Sequence, residues 1–366
     1  MNQPTQSDVI FAGSYGRSGQ ASGITAYAVD GATGALRVAS WTPEFNPAYL
    51  VVDPVRRVLY TECEDPARAE GSVASYKIAD DGLQFLSRQP VRDPCHLALS
   101  PSGRFLVAPS HGDGTIVVIP VAGNGELHAP TDVVQHHGHG PRRTQKGPHP
   151  HCATWSPDGR FVVVTDAGND TISAYELDEM TGRLHLDPRR KLDMTPGSAP
   201  RHLVFHPQLP IAYVNGEGSM CVMTLAYDAE SGVFEEVQRM AMFTDEELAA
   251  LGDRMYGSAA IVLDRSGRHL YISNRGPDVI STYDVDASSG RLVAKSRFAS
   301  GGLNPRHVLF SASGQTLYVL NQAQSADSKG IGSIVAMTVE SDGALSNPQV
   351  ADITAMPANA VLLRGE

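Results

Sequence analysis

Short apolar runs, each closed by turn residues, recur along the whole chain at a near-constant spacing. One unit shows the pattern. His96–Ser100 is apolar, Pro101-Ser-Gly103 breaks it, and Phe105–Pro109 follows as a second apolar run. Thr115–Val121 is the third, and a fourth begins at Leu127. Runs this short, rich in Val, Ile and Leu and separated by Pro and Gly, predict β-strands joined by tight turns. First runs recur at Leu50–Asp53, Cys152–Ser156, His202–His206, Ala260–Asp264 and His307–Ser311. Second runs recur at Val58–Glu62, Phe161–Thr165, Ala212–Gly216, Leu270–Asn274 and Leu317–Asn321. Third runs include Ser72–Ile78, Thr171–Leu177, Met220–Tyr227, Ile280–Val285 and Ile334–Val339. Fourth runs begin at Leu83, Leu184, Phe234, Leu292 and Leu345. One stretch, Asp245–Gly252, carries a helical pattern instead.

The ends of the chain complete the repeat. Val9–Ser14, Ile24–Val29 and Leu36–Ala39 match the second, third and fourth runs, but no first run precedes them. A lone first run stands at the other end, within Pro357–Leu363. A unit split between the termini is what a ring closed by strand exchange requires. The sequence therefore predicts an all-β fold: a seven-bladed β-propeller with four antiparallel strands per blade, occupying residues 1–366 as one domain, with the C-terminal strand closing the N-terminal blade.

Composition narrows the function. With 29 basic and 40 acidic residues the net charge is −11, which argues against nucleic acid as a partner. No apolar run is long enough to span a bilayer, and residues 1–10 lack a cationic segment followed by an apolar one, so neither membrane nor secretion is expected. Four cysteines, Cys63, Cys95, Cys152 and Cys221, are widely spaced and contain no CxxC; they read as reduced thiols of a cytoplasmic protein.

In such a ring the links into each first strand and the turns after each second strand open on the same face. Position in the repeat thus selects candidate site residues. Before first strands stand Asn46, His96, His149, His151, Arg201, His202, Arg306 and His307. After second strands stand Tyr15, Glu62, Glu64, His111, Asp166, Glu217 and Arg275. Between Val133 and Pro157 lie five His, two Arg and one Lys with no acid, a stretch that favours an anion. Histidines this dense also suit a metal, but the arginines at the same mouth repel a cation, so no metal and no cofactor are expected.

At these residues the chain resembles the lactonase family of seven-bladed propellers, which includes 6-phosphogluconolactonases and 3-carboxy-cis,cis-muconate lactonizing enzymes. The matching motifs are Asn46–Leu50, Gly147–His151 with the Trp155–Phe161 segment after it, Pro200–Pro207, Tyr213–Glu217, Tyr271–Gly276 and Pro305–His307. The resemblance implies that His151, Arg201, Glu217 and Arg275 are catalytic. Two positions depart from the family pattern: Gly216 stands where Asn usually precedes the Glu, and Ala260 where an acid is usual.

Lactone opening needs an activated water, a stabiliser for the tetrahedral oxyanion and a proton for the leaving alkoxide. Glu217 or His151 can serve as base, with Arg201 and Arg275 stabilising charge. His149, Tyr15, Asn46, His96, His202, Arg306 and His307 are expected to bind substrate. The implied function is hydrolysis of a small anionic lactone by a monomer or homodimer. A cycloisomerase acting on a carboxylated muconate needs the same residue types, and a non-catalytic binding propeller is the third reading.

Overall fold

The computed structural model describes residues 8–16, 21–65, 70–328 and 330–365; the first residues, read above for a secretion signal, lie outside these. Among the described residues there are seven four-stranded antiparallel sheets. Their innermost strands are Pro357–Leu363 in blade 1, then Tyr49–Asp53, Ala98–Leu99, Pro150–Trp155, Pro200–Phe205, Gly257–Leu263 and Leu303–Phe310 in blades 2 to 7. Each inner strand neighbours the next, and that of blade 7 returns to Pro357–Leu363, so the sheets close into a ring. The seven-bladed propeller expected from the repeat is the fold observed.

Each blade is covered on both faces by its neighbours, which explains its sequence pattern. Seven apolar clusters fill the seven blade-to-blade boundaries. Along Val58–Asp65, Val58 and Tyr60 face blade 3 while Leu59 and Cys63 face blade 1. Second and third strands are therefore apolar at successive positions. The outermost strands, such as Arg183–Asp193, carry exposed polar residues. Buried tyrosines add a recurring tie. Tyr213, Tyr271 and Tyr318 donate their hydroxyls to the carbonyls of Gly290, Gly343 and Gly34 in the next blade, at 2.8, 2.9 and 2.7 Å.

The closing strand is bound on every side. Val9–Ser14 pairs with it antiparallel. His307 of blade 7 meets the Ala360 carbonyl at 3.1 Å, and the Leu50 amide of blade 2 donates to Asn359 Oδ1 at 3.0 Å.

Blade 3 departs from expectation. Leu127 does not begin its outer strand; it makes one bridge to Val121, and the outer strand is Asp132–Gln135. The apolar signal at Leu127 comes from its burial in the core between blades 2 and 3 rather than from strand pairing. The inner strand of blade 3 is also shorter than the His96–Ser100 run, pairing only over Ala98–Leu99. The helical stretch forms a short helix, Asp245–Ala249, capped by a reciprocal Thr244–Glu247 box.

Candidate active site

Three arginines meet at the mouth where the inner strands begin. Arg201 is the second residue of its inner strand and only 3% exposed. Its Nη1 donates to the Ala259 carbonyl at 2.7 Å and to His202 Nε2 at 3.0 Å, and its Nε lies 3.5 Å from Glu217 Oε2. Arg275, the last residue of its strand, pairs through Nη2 with Glu217 Oε1. It also approaches the carbonyls of Gly257 and Ser258, both at 3.3 Å. One carboxylate thus holds two guanidiniums from blades 5 and 6. Among the described residues nothing bonds Arg201 Nη2 or Arg275 Nη1, which leaves two guanidinium edges for a substrate oxygen.

Burial alone would raise the Glu217 carboxyl, but Arg275 and Arg201 outweigh it and bring it down to about 2. Glu217 is therefore ionised at neutral pH. Burial draws the Arg201 guanidinium down to about 10, which leaves it charged there.

Arg306 is the third cation. Its Nη2 donates to the Tyr15 hydroxyl at 3.2 Å, and its guanidinium lies over the Tyr15 ring, 5.5 Å from the centroid. It has no carboxylate partner among the described residues. Burial raises the Tyr15 phenol to about 12, so Tyr15 stays neutral. Asn46 adopts φ 40° and accepts from the Gly16 amide at 2.8 Å, which fixes the loop beside Tyr15.

The histidines form a connected wall. His96 lies against Tyr49 with the rings tilted by 32° and their centroids 3.8 Å apart. The rings of His202 and His96, and of His151 and His202, are each 5.4 Å apart. Burial, and next the Arg201 charge, hold His151 and His202 well below the usual histidine range. Burial takes His96 to about 3 and His307 to about 4. These rings are neutral at pH 7. His151 Nδ1 is buried with no partner, whereas His202 accepts from Arg201 and His307 is tied to the closing strand. His149 is engaged elsewhere: its ring nitrogens face the His111 and Thr144 carbonyls at 2.7 and 3.2 Å.

The structure thus brings Arg201, Glu217 and Arg275 into one cluster, sets His151 beside it through His202, and puts Arg306, bonded to Tyr15, close enough for its charge to act on Glu217 and Arg201. His96 and His307 are wall residues bonded to neighbouring strands. The two departures from the family pattern have local causes. A Cβ at Gly216 would run into Ser219 Oγ and the Ser198 carbonyl. Ala260 packs with Tyr271 and Val308 in the core between blades 6 and 7, where an ionised side chain would have no partner.

Two further mouth residues stand among the candidates that position in the repeat selects. His111 stacks on His149 at 4.3 Å and stands 5.7 Å from the His151 ring. Glu62 is 1% exposed, and its Oε2 is buried without a partner. Their signal was their position directly after second strands. Burial, reinforced by Glu64, raises the Glu62 carboxyl well above the usual range. The folded state therefore keeps a proton that the unfolded chain releases, so stability falls as pH rises above the unfolded carboxyl range of ~4.3. Glu62→Gln should raise the melting temperature at pH 8 by roughly 2 °C or more and change it little at pH 4. Equal destabilisation at both pH values would show that the carboxyl makes a bond the fold needs.

Among the described residues no group of three His, Cys, Asp or Glu is arranged to hold a metal ion. The fold is a seven-bladed propeller with guanidiniums clustered around one carboxylate at its mouth. The chain matches the family described as Lactonase, 7-bladed beta-propeller, over residues 9–347, and belongs to it. It is 31% identical over 317 residues to the 6-phosphogluconolactonase of Bacillus subtilis, covering 85% of this chain and 87% of that protein. A 6-phosphogluconolactonase of Formosa agariphila is 26% identical over 322 residues, 86% of this chain and 89% of that one. Among solved structures, the periplasmic gluconolactonase PpgL of Pseudomonas aeruginosa superposes with a TM-score of 0.87 at 26% identity, covering 98% and 99% of the two chains.

Proposed function

We propose that this lactonase hydrolyses a small anionic sugar-acid lactone at the mouth formed by Arg201, Glu217, Arg275 and His151. The observation that carries this reading is the pair of guanidiniums fixed by one carboxylate, each with an unbonded edge. The names of the relatives support the substrate class. The lactone carbonyl oxygen, negative in the tetrahedral intermediate, lies against those edges, where charge-assisted hydrogen bonds are strongest. Glu217 keeps the guanidiniums aimed and is too weak a base to do more. His151 is neutral, so its ring accepts the proton of the attacking water. Arg306 and Tyr15 bind a further polar group of the substrate, with Asn46 supporting the loop. His96, His202 and His307 shape the wall and His149 braces the adjacent loop. Residues 1–366 act as one domain. The four free thiols support a cytoplasmic location.

The test is a panel of 6-phosphogluconolactone, unphosphorylated aldonolactones and muconolactones, with ring opening followed by proton release. Preference for a muconolactone would move the protein to cycloisomerase chemistry, and inertness toward all would make it a binding propeller. A pH profile checks the base. Its pKa is depressed, so the neutral form persists at acidic pH, and kcat/KM should begin to fall only below the ordinary histidine value of ~6.5. His151→Ala should cost about 10²-fold or more. An acid limb centred at or above ~6.5 in the wild type would remove His151 as the base.

A further inference from the structure

The acid-free loop between the outer strand of blade 3 and the inner strand of blade 4 has a role the proposed chemistry does not use. From 136 to 149 it has no regular secondary structure, yet it is fastened by buried side chains. His136 bonds Asp166 Oδ2 at 2.7 Å and the Tyr175 hydroxyl at 2.8 Å. Gln145, 2% exposed, donates to the Ala167 carbonyl at 2.9 Å and to Asp170 Oδ1 at 2.7 Å, and accepts from the Arg142 amide at 3.0 Å. Asp170 in turn accepts from the Gly197 and Ala199 amides at 2.6 and 2.7 Å, which ties the loop to the link that leads into Arg201.

These bonds seat one cation beside the catalytic clamp. Arg142 Nε donates to the Gly197 carbonyl at 2.6 Å. At Gly218, the residue after Glu217, a Cβ would stand 3.2 Å from Arg142 Cδ. The side chain therefore lies in a groove that glycine leaves open, held in place although its surface is exposed. Arg143 and Lys146 follow it in the same loop, also exposed, and none of the three cations forms an ion pair with a carboxylate among the described residues. In a chain of net charge −11, three cations within residues 142–146 of the loop that enters the mouth concentrate positive potential there.

We propose that this lip is a subsite for the phosphate group of a phosphorylated sugar lactone, with Arg142 and Arg143 binding its oxygens while the carbonyl end occupies the clamp. The inference rests on the lactonase reading. In a sugar lactone phosphorylated at its terminal carbon the phosphate is remote from the carbonyl. A protein that grips both ends needs a second anion-binding seat set off from the clamp. Arg supplies a planar donor fork suited to phosphate, and a fixed loop supplies it with little ordering cost.

The test compares wild type and the Arg142→Ala/Arg143→Ala double variant on 6-phosphogluconolactone and on gluconolactone. KM for the phosphorylated lactone should rise about 10-fold or more, with kcat and the gluconolactone KM little changed. Calorimetry with 6-phosphogluconate and gluconate, which needs no turnover, should show a wild-type preference for the phosphorylated acid that the variant loses. A variant whose KM values are unchanged, or rise equally for both lactones, overturns the subsite and leaves the lactonase reading standing. A wild type that opens neither lactone overturns the lactonase reading; the subsite then stands only if the calorimetric preference is present and lost in the variant, and falls otherwise. A melting temperature matching the wild type shows that the loop remains in place.

Discussion

Truncation after Met356 should leave a chain that does not fold cooperatively. The deletion removes the whole inner strand of blade 1. Six residue pairs with Val9–Ser14 go with it, as do the His307 bond to Ala360 and the Leu50 bond to Asn359. Buried Ala358 is lost, and Ala360 and Leu363, at 4 and 5% exposure, leave the boundaries of blade 1 with blades 7 and 2. Each lost hydrogen bond is worth about 1 kcal/mol net, and burial of a leucine about 1.5–3 kcal/mol. Together these losses approach the ~5–15 kcal/mol by which a folded protein exceeds its unfolded chain. The deletion also exposes the edge of Val9–Ser14, a ready site for intermolecular pairing. Thermal melts and size-exclusion chromatography of the truncated chain should show loss of the folding transition and aggregation. A truncated protein that stays monomeric and melts within a few degrees of full length would mean that ring closure does not carry stability.

That closure was legible in the sequence because the repeat leaves a strand missing at one end and a spare at the other. Blade 3 was read less well. Leu127 is buried like a strand residue, but through contact with the neighbouring blade, and run-length patterns do not distinguish the two causes. The candidate site divides in the same way. Topology put Arg201, Glu217, Arg275 and His151 on one mouth, since position in the repeat fixes the end of the channel on which a residue opens. It did not show that Glu217 spans two arginines from different blades, or that His149 spends both ring nitrogens on carbonyls. Those facts depend on side-chain directions across blade boundaries. Position in the repeat put Glu62 on this mouth as well, but a buried acid and an exposed one look alike in sequence; only its burial and its orphaned oxygen set it apart.

The strongest kinetic effect is expected at the clamp. Arg201→Ala or Arg275→Ala should each lower kcat/KM by about 10²-fold or more, as loss of an oxyanion donor does. The lysine variants separate charge from geometry. Lysine at 201 keeps a cation near Glu217, but its single ammonium cannot reproduce the fork that reaches Ala259, His202 and Glu217 together while leaving an edge free. Arg201→Lys should therefore remain nearly as impaired as Arg201→Ala. Arg275 sits in a looser setting, with carbonyl contacts at 3.3 Å and a more exposed side chain, so Arg275→Lys should recover more. Glu217→Gln leaves the two guanidiniums without their counter-charge. Arg201 is already drawn downward by burial, and the loss should both misdirect it and lower stability, since breaking a buried pair costs about 3–5 kcal/mol and this one, with its carboxylate partly exposed, less. Steady-state kinetics on the preferred lactone, with melting curves for each variant, would read both effects. Near-normal kcat/KM in both alanine variants would take the arginines out of the chemistry. Full activity in Arg201→Lys would reduce the role of that residue to charge alone.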